Sequence, residues 1–224
     1  MVVLIHSTSM RKLFFCAILT IASSVLSVCH AQPKAVDLGL SVKWADRNLG
    51  ASSPEGNGNY YAWGETSPKS DYDWSTLKYC TDGEGRHFNK YVPSDKSKYW
   101  LGSGSPDNKT RLDLSDDAAR AKLGGKWRIP TKAEWEELKE KCKWSWTGSG
   151  YRVTGPNGRS IFLPAAGYRY GSSSYDVGSD GYYWSSSLYT DDPGYAWGMD
   201  FGSGDYDMYG DSRYDGFSVR PVTE

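Results

Sequence analysis

The chain has 224 residues, of which 15% are aromatic, and its formal net charge is −1. The aromatic content argues against a disordered chain. The near-neutral charge argues against a nucleic-acid partner, because binding phosphates needs a basic surface.

The N-terminal segment has the pattern of a secretory signal peptide. A basic pair at positions 11–12 precedes an apolar run over 13–28, and Ala31 offers a cleavage site. The sequence therefore predicts a signal peptide over 1–31 and an exported protein that is secreted or held at the cell surface. The remainder, 32–224, is long enough for a single domain with a sizeable core.

A second interpretation of the N-terminus stays open. Residues 26–29 form an imperfect lipobox, so Cys29 could carry a lipid that anchors the protein to a membrane. No other apolar run is long enough to span a bilayer. A membrane partner is expected only through this lipid.

Short strands, two helices and long loops are expected in the remaining chain. Alternating apolar residues over 38–44 predict an opening strand. Residues 60–65 predict a short aromatic strand or turn. The polar stretch 67–104 carries scattered aromatic residues that would fasten a long loop to the core, unless it hides short elements.

The most secure element is a helix from Lys132 to about Cys142. Thr131 and Glu134 have the spacing of a capping box. Trp135, Leu138 and Cys142 would form its buried stripe. A shorter helix is predicted within 114–124, capped by Ser115 or Asp116 and ended by Gly124 or Gly125.

A hairpin and a distinctive C-terminal window follow. Strands over 151–154 and 160–163 flank the turn residues 155–158. The window 167–216 then holds ten Tyr, nine Asp, nine Ser and ten Gly, but no Asn, Gln, Lys, Glu or His. Tyr, Ser and Gly are typical of evolved binding loops, although the same residues also suit ordinary turns and edge strands.

Alternation inside this window separates two faces of a strand. It places Trp197, Met199 and Phe201 on a core face, and it turns Gly198, Asp200 and Gly202 outward. We also expect core positions for Trp127 and Trp184. Residues 205–209 continue the pattern, and residues 217–222 predict a last strand.

Several of these motifs resemble one known family. Residues 123–131 (LGGKWRIPT) with Glu134, Trp135 and Leu138 resemble the core motif of the Bacteroidetes and Fibrobacter secreted paralogous domains. The segments 37–45, 61–65, 163–167, 183–187 and 217–222 match that family's opening and end. The resemblance covers nearly all of 32–224. It implies an α+β domain of C-type-lectin-like fold, in the branch of the formylglycine-generating enzyme, with few helices, short antiparallel strands and long loops.

Some members of that family are variable proteins of diversity-generating retroelements. Adenine-directed mutagenesis in such proteins rewrites Asn codons, commonly to Asp, Ser, Gly or Tyr. The window 167–216 fits this outcome as a C-terminal variable region, and the missing Asn then has a cause. An ordinary, undiversified member of the family is the alternative.

Enzyme chemistry finds little support in the sequence. The branch's active site uses a cysteine pair, but Cys80 and Cys142 fall outside the part of the chain where that site is expected. His87 stands alone in a Gly-rich loop, and the calcium-dependent lectin motifs are absent. We therefore expect no catalysis, no metal and no cofactor. Cys80 and Cys142 are predicted to form a disulfide, with two buried free thiols as the alternative.

The sequence thus predicts an exported protein that presents its C-terminal surface to a ligand, a protein before a glycan. An enzyme of the formylglycine-generating type and a passive surface or adhesin subunit are the rival interpretations. Tyr residues would be contact anchors and Asp residues would select a basic patch, while glycines would leave shallow space. The predicted ligand-binding residues are Tyr175, Asp176, Asp180, Tyr182, Tyr189, Asp191, Tyr195, Gly198, Asp200, Gly202, Asp205, Asp207, Tyr209, Asp211, Tyr214 and Asp215.

Overall fold

The computed structural model describes residues 32–224. The predicted signal peptide and the lipidation site at Cys29 lie outside these residues. The described chain is a mixed α+β structure in which short strands predominate. It contains two α-helices, α1 (Ala118–Leu123) and α2 (Lys132–Lys141), and three 3₁₀ turns, at Trp74–Thr76, Ser94–Tyr99 and Leu114–Asp116.

Thirteen strands are found in this part of the chain. They are β1 (Ala35–Val36), β2 (Lys43–Ala45), β3 (Tyr60–Tyr61), β4 (Lys143–Trp146), β5 (Gly150–Thr154), β6 (Ser160–Pro164), β7 (Tyr168–Tyr170), β8 (Ser173–Tyr175), β9 (Gly181–Leu188), β10 (Tyr195–Phe201), β11 (Tyr206–Ser212), β12 (Phe217–Ser218) and β13 (Val222–Thr223).

Four sheets result from their pairing. The largest has the order β11-β10-β9-β12-β3, and all its pairs are antiparallel except β12 with β9. The other sheets have the orders β1-β2-β13, β4-β5-β6 and β7-β8. The β5–β6 hairpin confirms the turn predicted over 155–158.

Helix α2 forms as its sequence predicts. Thr131 Oγ1 accepts a hydrogen bond from the Glu134 backbone N–H, and the Glu134 carboxylate accepts one from the Thr131 N–H, which completes the capping box. Trp135 and Leu138 are fully buried. The Trp135 ring packs edge-on against Trp44 and Tyr183, so this helix covers one face of the five-stranded sheet.

Other local predictions need correction. The opening strand is interrupted, because β1 and β2 pair with each other across a turn that contains Gly39 at φ +79°. Asp117, rather than Ser115 or Asp116, caps α1, while Gly124 ends it as predicted. The last strand is divided between two sheets as β12 and β13.

The predicted disulfide between Cys80 and Cys142 is wrong, because both thiols are free. Cys142 ends α2 and packs in the core beside that helix. Cys80 packs against a different cluster, around Phe88, and its thiol donates a hydrogen bond to Asp82. The two residues thus belong to separate parts of the core, and the alternative of unpaired thiols holds.

Candidate functional site

The five-stranded sheet presents two chemically different faces. Met199 and Phe201 on β10 and Met208 on β11 are buried on the face that α2 covers. Their neighbours in sequence point to the opposite face, where Asp200 lies beside Tyr182 of β9 and Tyr209 of β11 flanks Gly198. The predicted alternation is therefore confirmed at Met199 and Phe201.

One half of this second face is closed by aromatic packing. Trp184 and Phe217 stack with their ring centroids 4.2 Å apart, and both are buried. Tyr182 lies at the border of this cluster, 5.3 Å from Phe217. The remaining half, beyond Tyr182, is open to solvent.

Tyrosines of the β7–β8 hairpin extend the open half. The Tyr168 ring lies 4.9 Å from Tyr182 and 5.5 Å from Tyr175, while Tyr170 lies 6.5 Å from Tyr175. Tyr175 and Tyr209 are 42% and 50% exposed. We call this set the tyrosine face; it comprises Tyr168, Tyr170, Tyr175, Tyr182 and Tyr209.

An acidic pocket of about 200 Å³ opens on the tyrosine face. Tyr182 and Tyr209 form its aromatic walls. Phe201 also borders the pocket, but its ring packs on the opposite face against Tyr151 and Tyr183. The remaining lining of the pocket is Asp180, Asp200, Gly202 and Asp205. The strand register brings Asp200 and Tyr182 together, so two residues separated by eighteen positions share one wall.

Two carboxylate oxygens beside this pocket have no hydrogen-bond partner. They are Asp200 Oδ1 and Asp211 Oδ2, and both are shielded from solvent. A Cβ added to Gly198 would lie 3.3 Å from the first and 2.9 Å from the second. The two oxygens therefore face the same point above Gly198. None of the ion pairs formed within residues 32–224 includes either carboxylate.

Burial raises the pKa values of three neighbouring aspartates, Asp200, Asp211 and Asp215. Burial and the nearby carboxylates of Asp211 and Asp215 raise the pKa of Asp200 well above its ordinary value. Burial raises the pKa of Asp211 to about 7. Burial and the Asp211 carboxylate raise the pKa of Asp215 to about 7. Around neutral pH the group therefore holds protons that an exposed carboxyl would have lost.

The space predicted above Gly198 is not free. Asp211, Asp200 and Phe217 all lie within 3.3 Å of the position that a Cβ would take there, and the residue is buried. The outward direction predicted for Asp200 is correct; the residue is half-buried and lines the pocket, while its Oδ1 atom is shielded from solvent. Gly202, in contrast, does line the pocket.

Some predicted residues lie on the side of the sheet that faces α2. Tyr195 and Trp197 share that side with Met199. The Tyr189 ring lies 4.8 Å from Trp197, and Lys132 Nζ of α2 lies 3.7 Å from the Trp197 centroid, in a cation–π contact. Trp197 is thus half-buried rather than in the core, and Trp127 is half-buried as well.

The other predicted residues occupy the rim and the surrounding loops. Asp207 pairs with Lys139 of α2 at 2.6 Å, so its carboxylate is already engaged. Tyr214 is half-buried and packs edge-on against Trp74, 4.6 Å away. Asp176, Asp191 and Asp205 are exposed, while Asp180 and Asp215 are half-buried.

Sequence reasoning omitted three residues from the candidate set. Tyr168 and Tyr170 belong to the tyrosine face, and Val177 is 53% exposed on the loop after β8. All three lie inside the window 167–216, so the composition signal included them. The signal that was missing is the β7–β8 pairing, which brings Tyr168 and Tyr175 together.

Features outside the window offer weaker sites. A groove of about 410 Å³ lies at the β5–β6 sheet, lined by residues such as Asp46, Arg152 and Phe162, and no window residue contributes to it. His87 hydrogen-bonds to Asp82 at 2.9 Å in a loop.

Within residues 32–224, no three His, Cys, Asp or Glu side chains are grouped to hold a metal ion. No helix in the same range has the length and apolar character to cross a membrane.

Comparison with known proteins gives one match. The model of the family described as the Lcl C-terminal domain matches residues 62–223. This span includes both helices, the β5–β6 hairpin and the whole tyrosine face. Neither a curated protein nor a solved structure matches the chain.

Proposed function

The chain belongs to the Lcl C-terminal domain family, and from that premise we propose that it is an exported, non-enzymatic binding protein that recognises a protein ligand through its tyrosine face. The family is compatible with a ligand-binding surface protein. The proposal adds the place of the contact and the class of the ligand.

The observation that carries the proposal is that exposed tyrosines and an acidic pocket lie next to each other on one surface. Tyr170, Tyr175 and Tyr209 are about half exposed while standing on paired strands. Rigid aromatic anchors of this kind lose little conformational entropy on binding and dominate the energy of protein interfaces. The aspartates that line the pocket on the same surface favour a ligand with a complementary basic patch.

The fold supports this use of the window. Strands β9 and β10 are fixed from one side by α2 and from the other by the Trp184–Phe217 stack. Such a frame tolerates changes at exposed positions, because those side chains contribute little to the core. We include in the proposal a C-type-lectin-like fold and a variable region over 167–216 whose residues differ between copies of the gene.

A binding screen tests the function. The full chain is immobilised and offered purified extracellular proteins and, separately, glycans. We expect a saturable protein ligand whose affinity drops at least about tenfold when Tyr175 and Tyr209 are both changed to Ala. Tyr195→Ala is the matched control, because this tyrosine is also exposed but lies on the α2 side.

The outcome separates the proposal from its rivals. Equal binding by the double variant and the parent chain, with both folded by circular dichroism, would refute recognition by the tyrosine face. A ligand lost only in Tyr195→Ala would move the site to the α2 side of the sheet. A glycan bound in place of a protein would overturn the ligand class.

A further inference from the structure

We propose that the acidic pocket beside Asp200 receives a single cationic side chain, the ammonium of a lysine or the guanidinium of an arginine, from the bound protein. This inference rests on the proposed function and names the chemistry at the centre of the contact. It concerns the pocket lined by Asp180, Tyr182, Asp200, Asp205 and Tyr209.

The first support is unsatisfied hydrogen-bonding capacity. A buried carboxylate oxygen without a donor is costly, and native proteins satisfy nearly all such atoms. Here Asp200 Oδ1 and Asp211 Oδ2 both lack a donor and converge above Gly198. A cation entering the pocket would donate N–H groups to the Asp200 carboxylate, which lines the pocket. Its charge would also offset that of the neighbouring Asp211 carboxylate, which lies outside the pocket.

The second support is the composition of the walls. Tyr182 and Tyr209 present aromatic surface around the carboxylates. Aromatic faces attract alkylammonium and guanidinium groups, and they also cover the apolar stem of such a side chain. A divalent metal would need several oxygen ligands around it, and within residues 32–224 no three His, Cys, Asp or Glu side chains are grouped to hold one.

The third support is the size and the reach of the pocket. A volume of about 200 Å³ is smaller than the usual site for a drug-sized ligand. It suits one side chain projecting from a larger partner. The exposed rings of Tyr175 and Tyr209 would then contact the partner's surface around that side chain.

Competing cations from the protein itself are engaged elsewhere. Lys139 pairs with Asp207 on the edge strand, and Lys132 lies over the Trp197 ring on the other face. Arg169 Nη2 donates to the Ser172 carbonyl. In the described part of the chain, none of these three forms an ion pair with Asp200 or Asp211.

The test uses small cations in place of the partner. The full chain is titrated with methylguanidinium chloride and with methylammonium chloride at pH 8, and binding is followed through the amide resonances of Gly198 and Gly202. Sodium chloride at equal ionic strength is the reference. We expect saturable shifts with one or both organic cations and none with sodium.

Matched variants locate the effect. Asp200→Asn should weaken the binding of the organic cation at least about tenfold, because it removes the charge that lines the pocket. Asp207→Asn is the control, since its carboxylate already pairs with Lys139. Unchanged binding by Asp200→Asn, or equal shifts with sodium, would overturn the inference, and so would tighter binding of Ca²⁺ than of either organic cation.

Failure here is distinguishable from failure of the proposed function. If neither cation binds while the double variant Tyr175→Ala with Tyr209→Ala still abolishes capture of a protein ligand, that result would support recognition by the tyrosine face and refute the cation pocket. If the cations bind but the double variant captures its ligand normally, the cation pocket is supported and recognition by the tyrosine face is refuted.

Discussion

Asp200 Oδ1 and Asp211 Oδ2 face one point above Gly198, and neither accepts a hydrogen bond from residues 32–224. The strand register produces this arrangement. Asp211 on β11 lies opposite Ala196 on β10, and it therefore shares a face of the sheet with Gly198 and Asp200. An unpaired buried carboxylate lowers stability.

The first prediction concerns pH. Asp211 and Asp215 have pKa values raised to about 7, so the folded state holds more protons than the unfolded state between the ordinary value near 4 and about 7. The free energy of unfolding should therefore fall as the pH rises through this window. Chemical denaturation at pH 5, 6.5 and 8 measures the slope.

Substitution of Asp200 and Asp211 should reduce this pH dependence. Asp200→Asn combined with Asp211→Asn should raise the free energy of unfolding at pH 8 by about 1–3 kcal/mol, because two of the three buried carboxylates then no longer have to ionise. The acidic and phenolic groups around Asp200 are Asp176, Asp180, Tyr182, Asp205, Asp211 and Asp215. A stability that rises from pH 5 to pH 8 in the parent chain would contradict this account.

The second prediction concerns Asp116, a buried carboxylate that is fully partnered. It accepts hydrogen bonds from Tyr79 and Tyr91 at 2.6 Å each and pairs with Lys78 and Lys90. These partners hold its pKa well below the ordinary range. Asp116→Asn should lower the free energy of unfolding by about 1–3 kcal/mol, since Tyr79 and Tyr91 lose a charged acceptor and Lys90 keeps only Asp113 as its counter-charge.

The control for this variant is Asp95→Asn, because Asp95 is an exposed residue whose pair with Lys96 contributes little. The stabilisation from Asp116 should be present above its ordinary pKa and be lost as the pH falls through its lowered folded value. Equal stability of Asp116→Asn and the parent chain at pH 7 would show that the network is not structural.

The third prediction concerns the start of α2. Thr131→Ala should lower the free energy of unfolding by about 1 kcal/mol, because the Glu134 N–H loses its acceptor. Thr131→Ser keeps the oxygen and should retain most of the stability. Urea denaturation of both variants checks this, and a serine variant as weak as the alanine variant would point to lost methyl packing instead.

The fourth prediction concerns the thiols. Burial raises the pKa of Cys142 to about 11, so its thiol should alkylate slowly in the folded protein. Cys80 is half-buried in a loop and should react with iodoacetamide first. Peptide mass spectrometry after timed labelling measures both rates. A Cys80–Cys142 disulfide in the unreduced digest would contradict the structure.

Local signals predicted what is local in this fold. The capping box defines α2, turn residues define the β5–β6 hairpin, and alternation places Met199 and Phe201 in the core. Sequence patterns do not predict the elements within the polar stretch 67–104, since its 3₁₀ turns are too short to show a period.

Long-range packing accounts for what the sequence could not predict. Alternation gives the direction of Gly198, but only the packing of Phe217 and the two aspartates decides that the space above it is filled. Arg213 is fully buried, although its residue type is usually exposed, because Trp63, Phe88 and Tyr91 surround its guanidinium. Tyr189 and Tyr195 lie away from the tyrosine face because they project from the α2 side of the sheet.

The most direct test of the central claim is a protection measurement on the complex. Tyrosines are modified chemically in the free chain and in the chain bound to its protein ligand, and the modified fraction at each position is read by mass spectrometry. We predict that Tyr170, Tyr175 and Tyr209 become protected while Tyr195, exposed on the other side of the sheet, does not. Protection of Tyr195 with unchanged modification at Tyr175 and Tyr209 would contradict the account.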